Sequence, residues 1–336
     1  MKNAPDIYFC DPAPHFVELK VVDIAAETRR QARRLSAPDN HHGVVVAAFA
    51  GLWGLGVTIA WHADGALLGA LACACSVLAL IGFSVCLHEA SHRILFRSRA
   101  LNESVGLLCG LPVLIPLSAF RTNHRFHHLR RGDHGKPTDE TLDFALLRTL
   151  PAYGLALLVK SFGFATVLPI IAIRKADTRT RSRTLAEYAL LAGLVYLAAR
   201  HVPRPILWSA WLLPLILTAL FSQLRAVAEH GLTAKGNTFT ASRTVVSNPV
   251  LRRLMCNINY HLEHHLFPHV PWHRLPAVHA LLVDDYRRVG ASVYGSYREF
   301  YADFIRATWR GIRPQTRLIA LRRAPVLEQG RSHAWR

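Results

Sequence analysis

Residues 66–92 read ALLGALACACSVLALIGFSVCLHEASH, an apolar run from Ala66 to Leu87 that ends on His88-Glu89-Ala90-Ser91-His92. The hydrocarbon core of a bilayer takes about 20 residues of helix, so this run is long enough to cross it. Residues four apart lie on one helical face, so His88 and His92 leave the end of the span side by side. The stretch predicts a transmembrane helix that carries two imidazoles to a membrane surface.

Three further runs have the same character: Val44–Trp61, Leu185–Val202 and Ile206–Leu224. The short connectors His62–Gly65 and Pro203–Pro205 pair the four runs into two hairpins. Composition agrees: of 336 residues 51% are hydrophobic and 18% charged, against about 25% charged in soluble domains, and mean hydropathy is +0.19. The net charge of +18 lies in blocks between apolar runs, which indicates cationic loops at a membrane and argues against a nucleic-acid partner. Arg29, Arg30, Arg33 and Arg34 precede the first run, Arg93, Arg97 and Arg99 follow the second, and Arg174, Lys175, Arg179, Arg181 and Arg183 precede the third. The positive-inside rule puts all three clusters in the cytoplasm if Val105–Phe120, broken by Pro112 and Pro116, and Thr149–Ile173, carrying Lys160 and Pro169, are interfacial or re-entrant.

The expected fold is therefore an all-α integral membrane protein with four transmembrane helices in two hairpins and a cytoplasmic helical cap. Residues 1–43 form a cytoplasmic N-terminal segment and 44–312 the membrane domain, with the cap made of 88–184 and 225–312. Residues 313–336 form a basic tail. Both termini fall in the cytoplasm, with the protein in the inner or cell membrane. Met1–Asn40 is polar and rich in proline, so no cleaved signal is expected. Cys73, Cys75, Cys86 and Cys109 sit in apolar stretches and read as small buried hydrophobes. Arg287–Trp309 reads as an amphipathic helix. Gly51, Gly54 and Gly56, inside the first run, read as close helix-packing positions.

The 19 histidines are unevenly placed. After the His88/His92 pair come His124-Arg-Phe-His127-His128 and His261-Leu-Glu-His264-His265, and the span assignment brings all three clusters to one membrane face. His230, in Glu229-His230-Gly231, lies one turn beyond the fourth run and is a further candidate. Imidazole is the commonest metal ligand near neutral pH, and His-rich sites suit iron better than magnesium or calcium. Glu89, Asp139, Glu229 and Glu263 are candidates to orient these rings, with a plain surface or N-cap carboxylate as the other reading, above all for Asp139. Asn257 and Asn259 either bond into the site or cap a helix. Trp53, Trp208 and Trp211 read as interface anchors, with a substrate tunnel as the other use.

His88-Glu89-Ala-Ser-His92 also fits the His-Glu-x-x-His pattern of zinc metalloproteases, with Glu89 as the base. That reading leaves the second and third clusters idle, because a zinc site needs only three protein ligands.

The three boxes, with the run Asn257-Ile-Asn259-Tyr260-His261-Leu-Glu263-His264-His265-Leu-Phe267-Pro268-His269-Val-Pro271, resemble the membrane fatty-acid desaturase and hydroxylase superfamily over about Val44–His279. The resemblance implies two irons bound on the cytoplasmic side of a four-span bundle by His88, His92, His124, His127, His128, His261, His264 and His265, with His230 matching an extra ligand that some members supply. It implies an O2-dependent attack on an unactivated C–H bond of a fatty-acyl or other lipid-like chain, most simply desaturation, with hydroxylation of a lipid or natural product as the alternative. The first box has a three-residue gap, and Ala226 stands where acyl-CoA desaturases have an asparagine. The Glu-His-Gly element is instead similar to the branch of sphingolipid-type and bacterial natural-product enzymes. Nothing in the chain looks like a nicotinamide or haem domain, so electrons are expected from an external ferredoxin or b-type cytochrome with its reductase. The basic surface suits such a partner or the headgroups of membrane lipids.

Overall fold

The computed structural model describes residues 24–131, 147, 149–233, 238–289 and 291–309. Fourteen α-helices and two short strands are found among them. In chain order they begin α1 (Ala26–Arg34), α2 (His42–His62), α3 (Ala66–Ser91), α4 (Arg99–Gly110), α5 (Leu117–Arg131), α6 (Leu150–Lys175) and α7 (Thr178–His201). A single long rod follows, made of α8 (Arg204–Leu207), a π-helical turn (Trp208–Leu212) and α9 (Leu213–His230). The remainder is α10 (Thr238–Ala241), β1 (Thr244–Val245), α11 (Pro249–Leu254), α12 (His261–Leu266), a 3₁₀ turn (Trp272–Arg274), α13 (Leu275–Val289), β2 (Val293–Tyr294) and α14 (Tyr297–Trp309).

Among the described residues three helices are long and apolar enough to cross a membrane: His42–His62, Ala66–Ser91 and Arg204–His230. The third expected run, Leu185–Val202, makes up the C-terminal part of α7 and its C-cap, and α7 does not join them: its first turns are rich in arginine and it buries Glu187. Large apolar side chains are nonetheless exposed along all these rods, among them Leu55, Leu67, Leu155, Leu185, Tyr196 and Trp208. A belt of that kind is stable where lipid rather than water is the solvent.

The α2–α3 hairpin turns at Gly65, whose φ of +106° lies in the left-handed region that side chains avoid. Of the three glycines expected at a helix contact, Gly56 faces the Ala72 carbonyl and Ser76 on α3, while Gly51 and Gly54 face open space. The inner half of α3 is the central pillar. Ala79, Leu80, Phe83, Cys86 and Leu87 are buried against Cys109 of α4, Val113 of the turn after it and Leu117 at the start of α5. The stretch Val105–Phe120 is thus a helix–turn–helix packed on the pillar, and Thr149–Ile173 is one continuous helix with Pro169 inside it rather than a re-entrant loop.

Two readings of the C-terminal region are corrected. Arg287–Trp309 is not one helix: the chain breaks into β2, and α14 restarts at Ser296-Tyr-Arg-Glu299, where the Ser296 hydroxyl accepts from the Glu299 amide and Glu299 accepts from the Gly295 amide. The fold is also not purely helical. β1 pairs in parallel with β2, Thr244 against Val293 and Val245 against Tyr294. This ladder ties the segment before the third histidine box to α14. On the other side α1 packs against α13, and Ile24 and Ala32 join Leu262, Leu266, Leu275 and Leu282 in one core cluster.

Candidate metal centre

Each box is aimed by a helix end that is itself pinned. His88 lies in the last turn of α3 and His92 just past it. The Asn102 side chain donates to the Ala90 carbonyl and accepts from the Leu95 amide. From α5, Arg121 donates to the Ala90 and Ser91 carbonyls while its fork grips Glu103, 2.7 Å and 3.0 Å away. Arg121 therefore closes the end of α3 and fixes α5, three residues before His124, against it. Glu103 and Glu187 also hold Arg183 of α7, and Glu187 accepts from both the amide and hydroxyl of Ser118.

The third box lies on α12, a helix of six residues that would not survive alone. Leu262 and Leu266 hold it down by burial in the core, each contributing about 1.5–3 kcal/mol. The turn before it passes through Cys256 and Asn257 at φ +49° and +52°, a conformation Asn tolerates better than most residues. Asn257 is thus a turn former. Asn259 donates to the Val245 and Val246 carbonyls and fixes β1 to the box.

The nine box imidazoles converge from four elements into two adjacent groups. One holds His88, His92, His124, His128 and His264; the other holds His127, His230, His261 and His265. The i, i+4 pairs stay together, while the i+3 member of each HxxHH box, His127 or His264, crosses to the other group. Helical geometry makes this possible: at 3.6 residues per turn, positions i+3 and i+4 depart from i in opposite senses. In the first group His124 Nε2 is 2.9 Å from His92 Nε2 and 3.0 Å from His128 Nε2, which is 3.1 Å from His264 Nε2. In the second, His261 Nε2 is 2.8 Å from His230 Nε2 and 3.0 Å from His265 Nε2, with His127 Nε2 3.3 Å from His265. Two ligands at right angles around an ion with bonds of about 2.1 Å stand about 3.0 Å apart. The donor set fits two transition-metal ions. His88 Nε2 is buried with no hydrogen-bond partner, as a ligand nitrogen is.

Burial, and then the crowding of neighbouring imidazoles, hold His92, His124, His261 and His264 below the usual histidine range. They are kept neutral, the form that binds metal. The carboxylates divide. Glu89 lies 3.5 Å from both His88 Nδ1 and His42 Nε2 and accepts from the Trp272 amide at 3.1 Å. Glu229, gripped by Arg225, lies 3.5 Å from His261 Nε2. Glu263 instead serves the scaffold, accepting from Thr244, His279 and Tyr286. Asp139 lies outside the described residues.

Several contributors carry no sequence signal because only the fold brings them near: Asn102, Arg121, Thr244, His279 and above all Arg243. The last is 2% exposed and donates to the Ala228 and Gly231 carbonyls on either side of His230, under the rings of Tyr294 and Phe300. Trp53 and Trp211 donate to the Ala210 and Pro112 carbonyls and so tie helices together. Trp208, 53% exposed, keeps the character of an interface anchor.

The model for "Fatty acid desaturase" matches residues 61–297, a range that contains every one of these histidines. The chain belongs to the fatty acid desaturase family. It is 31% identical over 210 residues to the sphingolipid delta(4)-desaturase of Drosophila melanogaster, covering 59% of this chain and 61% of the relative. It is 28% identical over 220 residues to the sphingolipid delta(4)-desaturase of Schizosaccharomyces pombe, covering 60% and 58%. It is 28% identical over 217 residues to the sphingolipid delta(4)-desaturase/C4-monooxygenase of Rattus norvegicus, covering 60% and 62%. The match spans about six-tenths of the length of these relatives. With three apolar rods and this family membership, the chain is a membrane protein.

Proposed function

We propose that this protein is an O2-dependent oxidoreductase that removes hydrogen from an unactivated carbon of a lipid chain, with desaturation of a sphingoid or fatty-acyl chain as its main reaction. The observation that carries the reading is the partition of nine imidazoles into adjacent groups of five and four. Two irons held there would supply an oxidant made from dioxygen, which ordinary side-chain acids and bases cannot replace. His88, His92, His124, His128 and His264 would hold one, and His127, His230, His261 and His265 the other. The chain keeps these rings neutral by burial, fixes them through Arg121, Asn102 and Arg243, and sets Glu89 and Glu229 beside them.

Ala226 leaves no asparagine one turn before His230, and among the described residues the Glu229 carboxylate lies 3.5 Å from His261 Nε2 of that group. Hydroxylation is the second reading, favoured by the relative named as both desaturase and C4-monooxygenase; ångström-level placement of the chain decides between the two outcomes. The intramembrane protease reading is set aside, since His88 and His92 share their site with three more imidazoles. The reading includes α7 as a fourth span, the site on the cytoplasmic face, and an external acidic electron donor such as a ferredoxin or b-type cytochrome.

The test is expression in a host with lipid profiling. Products lacking two hydrogens, or carrying one added oxygen, should appear with the wild-type chain and vanish with His264→Ala. An unchanged lipid profile with iron-loaded wild-type protein and a competent reductant would contradict the proposal.

A further inference from the structure

Apart from the nine box histidines, a third cluster lies where α2 begins. Asp39, His42 and His273 each offer a ligand atom, all within 4.8 Å of one another. His42 is the first residue of α2 and is fully buried, yet neither ring nitrogen has a hydrogen-bond partner. A buried polar group is nearly always satisfied, and one that is not calls for an ion, a water or a functional strain. His42 Nε2 stands 3.5 Å from Glu89 Oε2. His273 Nε2 bonds Asp39 Oδ2 at 3.0 Å, and its buried Nδ1 has no hydrogen-bond partner. Each ring thus turns its Nε2 toward a carboxylate, hydrogen-bonded in His273 and 3.5 Å away in His42, and keeps a buried Nδ1 with no hydrogen-bond partner; a carboxylate at one ring nitrogen is how metal-ligating histidines are commonly oriented.

We propose that Asp39, His42 and His273 form a third, separate cation site, for a divalent ion of the zinc class. Two imidazoles and a carboxylate are a borderline donor set that suits zinc over calcium or magnesium. Among the described residues the charges facing the site are Asp39 and Glu89 against Arg274, whose guanidinium lies 2.6 Å from Asp39 Oδ2. With neutral imidazoles the site is net anionic and accepts a dication. Bonds of about 2.0–2.2 Å would draw the three donors inward, and the exposed ring of His41, 4.8 Å from that of His273, is within reach as a fourth. The site would clamp the start of the first span to the turn after the third box. Arg274 already stitches the same two segments through the Leu35 and Ala37 carbonyls.

The test is elemental analysis of detergent-purified full-length chain, with Zn2+ titration after chelator treatment. His273→Ala and Asp39→Asn, both at partly exposed positions, should each lose about one ion per chain and one Zn2+ equivalent, while His264→Ala keeps that ion. Because the box histidines are varied separately, a failure of the di-iron reading would leave this result standing. If His273→Ala and Asp39→Asn match wild type in metal content and titration, the trio is a hydrogen-bonded staple and the proposal is wrong.

Discussion

His128 Nε2 and His264 Nε2 lie 3.1 Å apart although 136 residues separate them. α5 and α12 meet there, and the five-imidazole group exists only because α12 is held against the end of α3. His128→Ala and His264→Ala should each abolish product formation and lower bound iron, whereas His127→Ala should deplete the other group. Metal content of the three variants checks this; full activity in His128→Ala and His264→Ala would sink the assignment.

Glu89 and Glu229 lie against ligand rings without belonging to either group. Glu89→Gln should retain fold but lose about 10–100-fold in metal affinity or turnover, the usual cost of losing a carboxylate behind a ligand, and Glu229→Gln, whose carboxylate faces the same His261 Nε2 that meets His230 and His265, should retain fold and lower metal occupancy of the second group. Glu263→Gln should instead lower thermal stability, since its partners are Thr244, His279 and Tyr286. Competitive metal titration and melting in detergent separate the two behaviours.

Arg243→Leu removes the donors to the Ala228 and Gly231 carbonyls. Leaving both carbonyls buried and unpaired should cost about 2–4 kcal/mol and loosen His230, so the melting temperature falls along with iron occupancy in the second group. An unchanged melting temperature would show that Arg243 holds nothing.

Burial alone would raise the Glu103 carboxyl, but the Arg121 and Arg183 guanidinium groups overcome it and hold the group below its ordinary value. A depressed folded value contributes stability that is complete above the unfolded value, about 4.5, and is lost as pH falls through the folded one. Melting of wild type against Glu103→Gln should therefore show a constant gap above about pH 5.5 that closes on acidification. A gap that widens at low pH would contradict the sign.

The helix α7 decides the span count. Single cysteines at Asp64→Cys and Arg204→Cys should label from one side of the membrane, and Arg97→Cys and Arg179→Cys from the other. Labelling of positions 179 and 204 from the same side would remove α7 from the spans.

The rods and the boxes were legible because each rests on a local period: apolar length for α2, α3 and α9, and i, i+3, i+4 spacing for the imidazoles. That same spacing explains how His127 and His264 change groups, although only the assembled helices show which group each joins. What the sequence hid is non-local. Arg243 looks like any basic residue until β1 places it against Tyr294 and Phe300, and His42 looks like a flanking histidine until Trp272 and His273 of the 3₁₀ turn pack on it. The ladder between β1 and β2 was invisible because two strands of two residues each leave no alternation to read.

The most direct test of the central claim is metal content with Mössbauer spectroscopy on the purified full-length chain. About two irons per chain are expected, both lost when the box histidines are replaced, with any zinc confined to the Asp39, His42 and His273 trio. A folded chain that takes up zinc at His88 and His92 and holds no iron would contradict it.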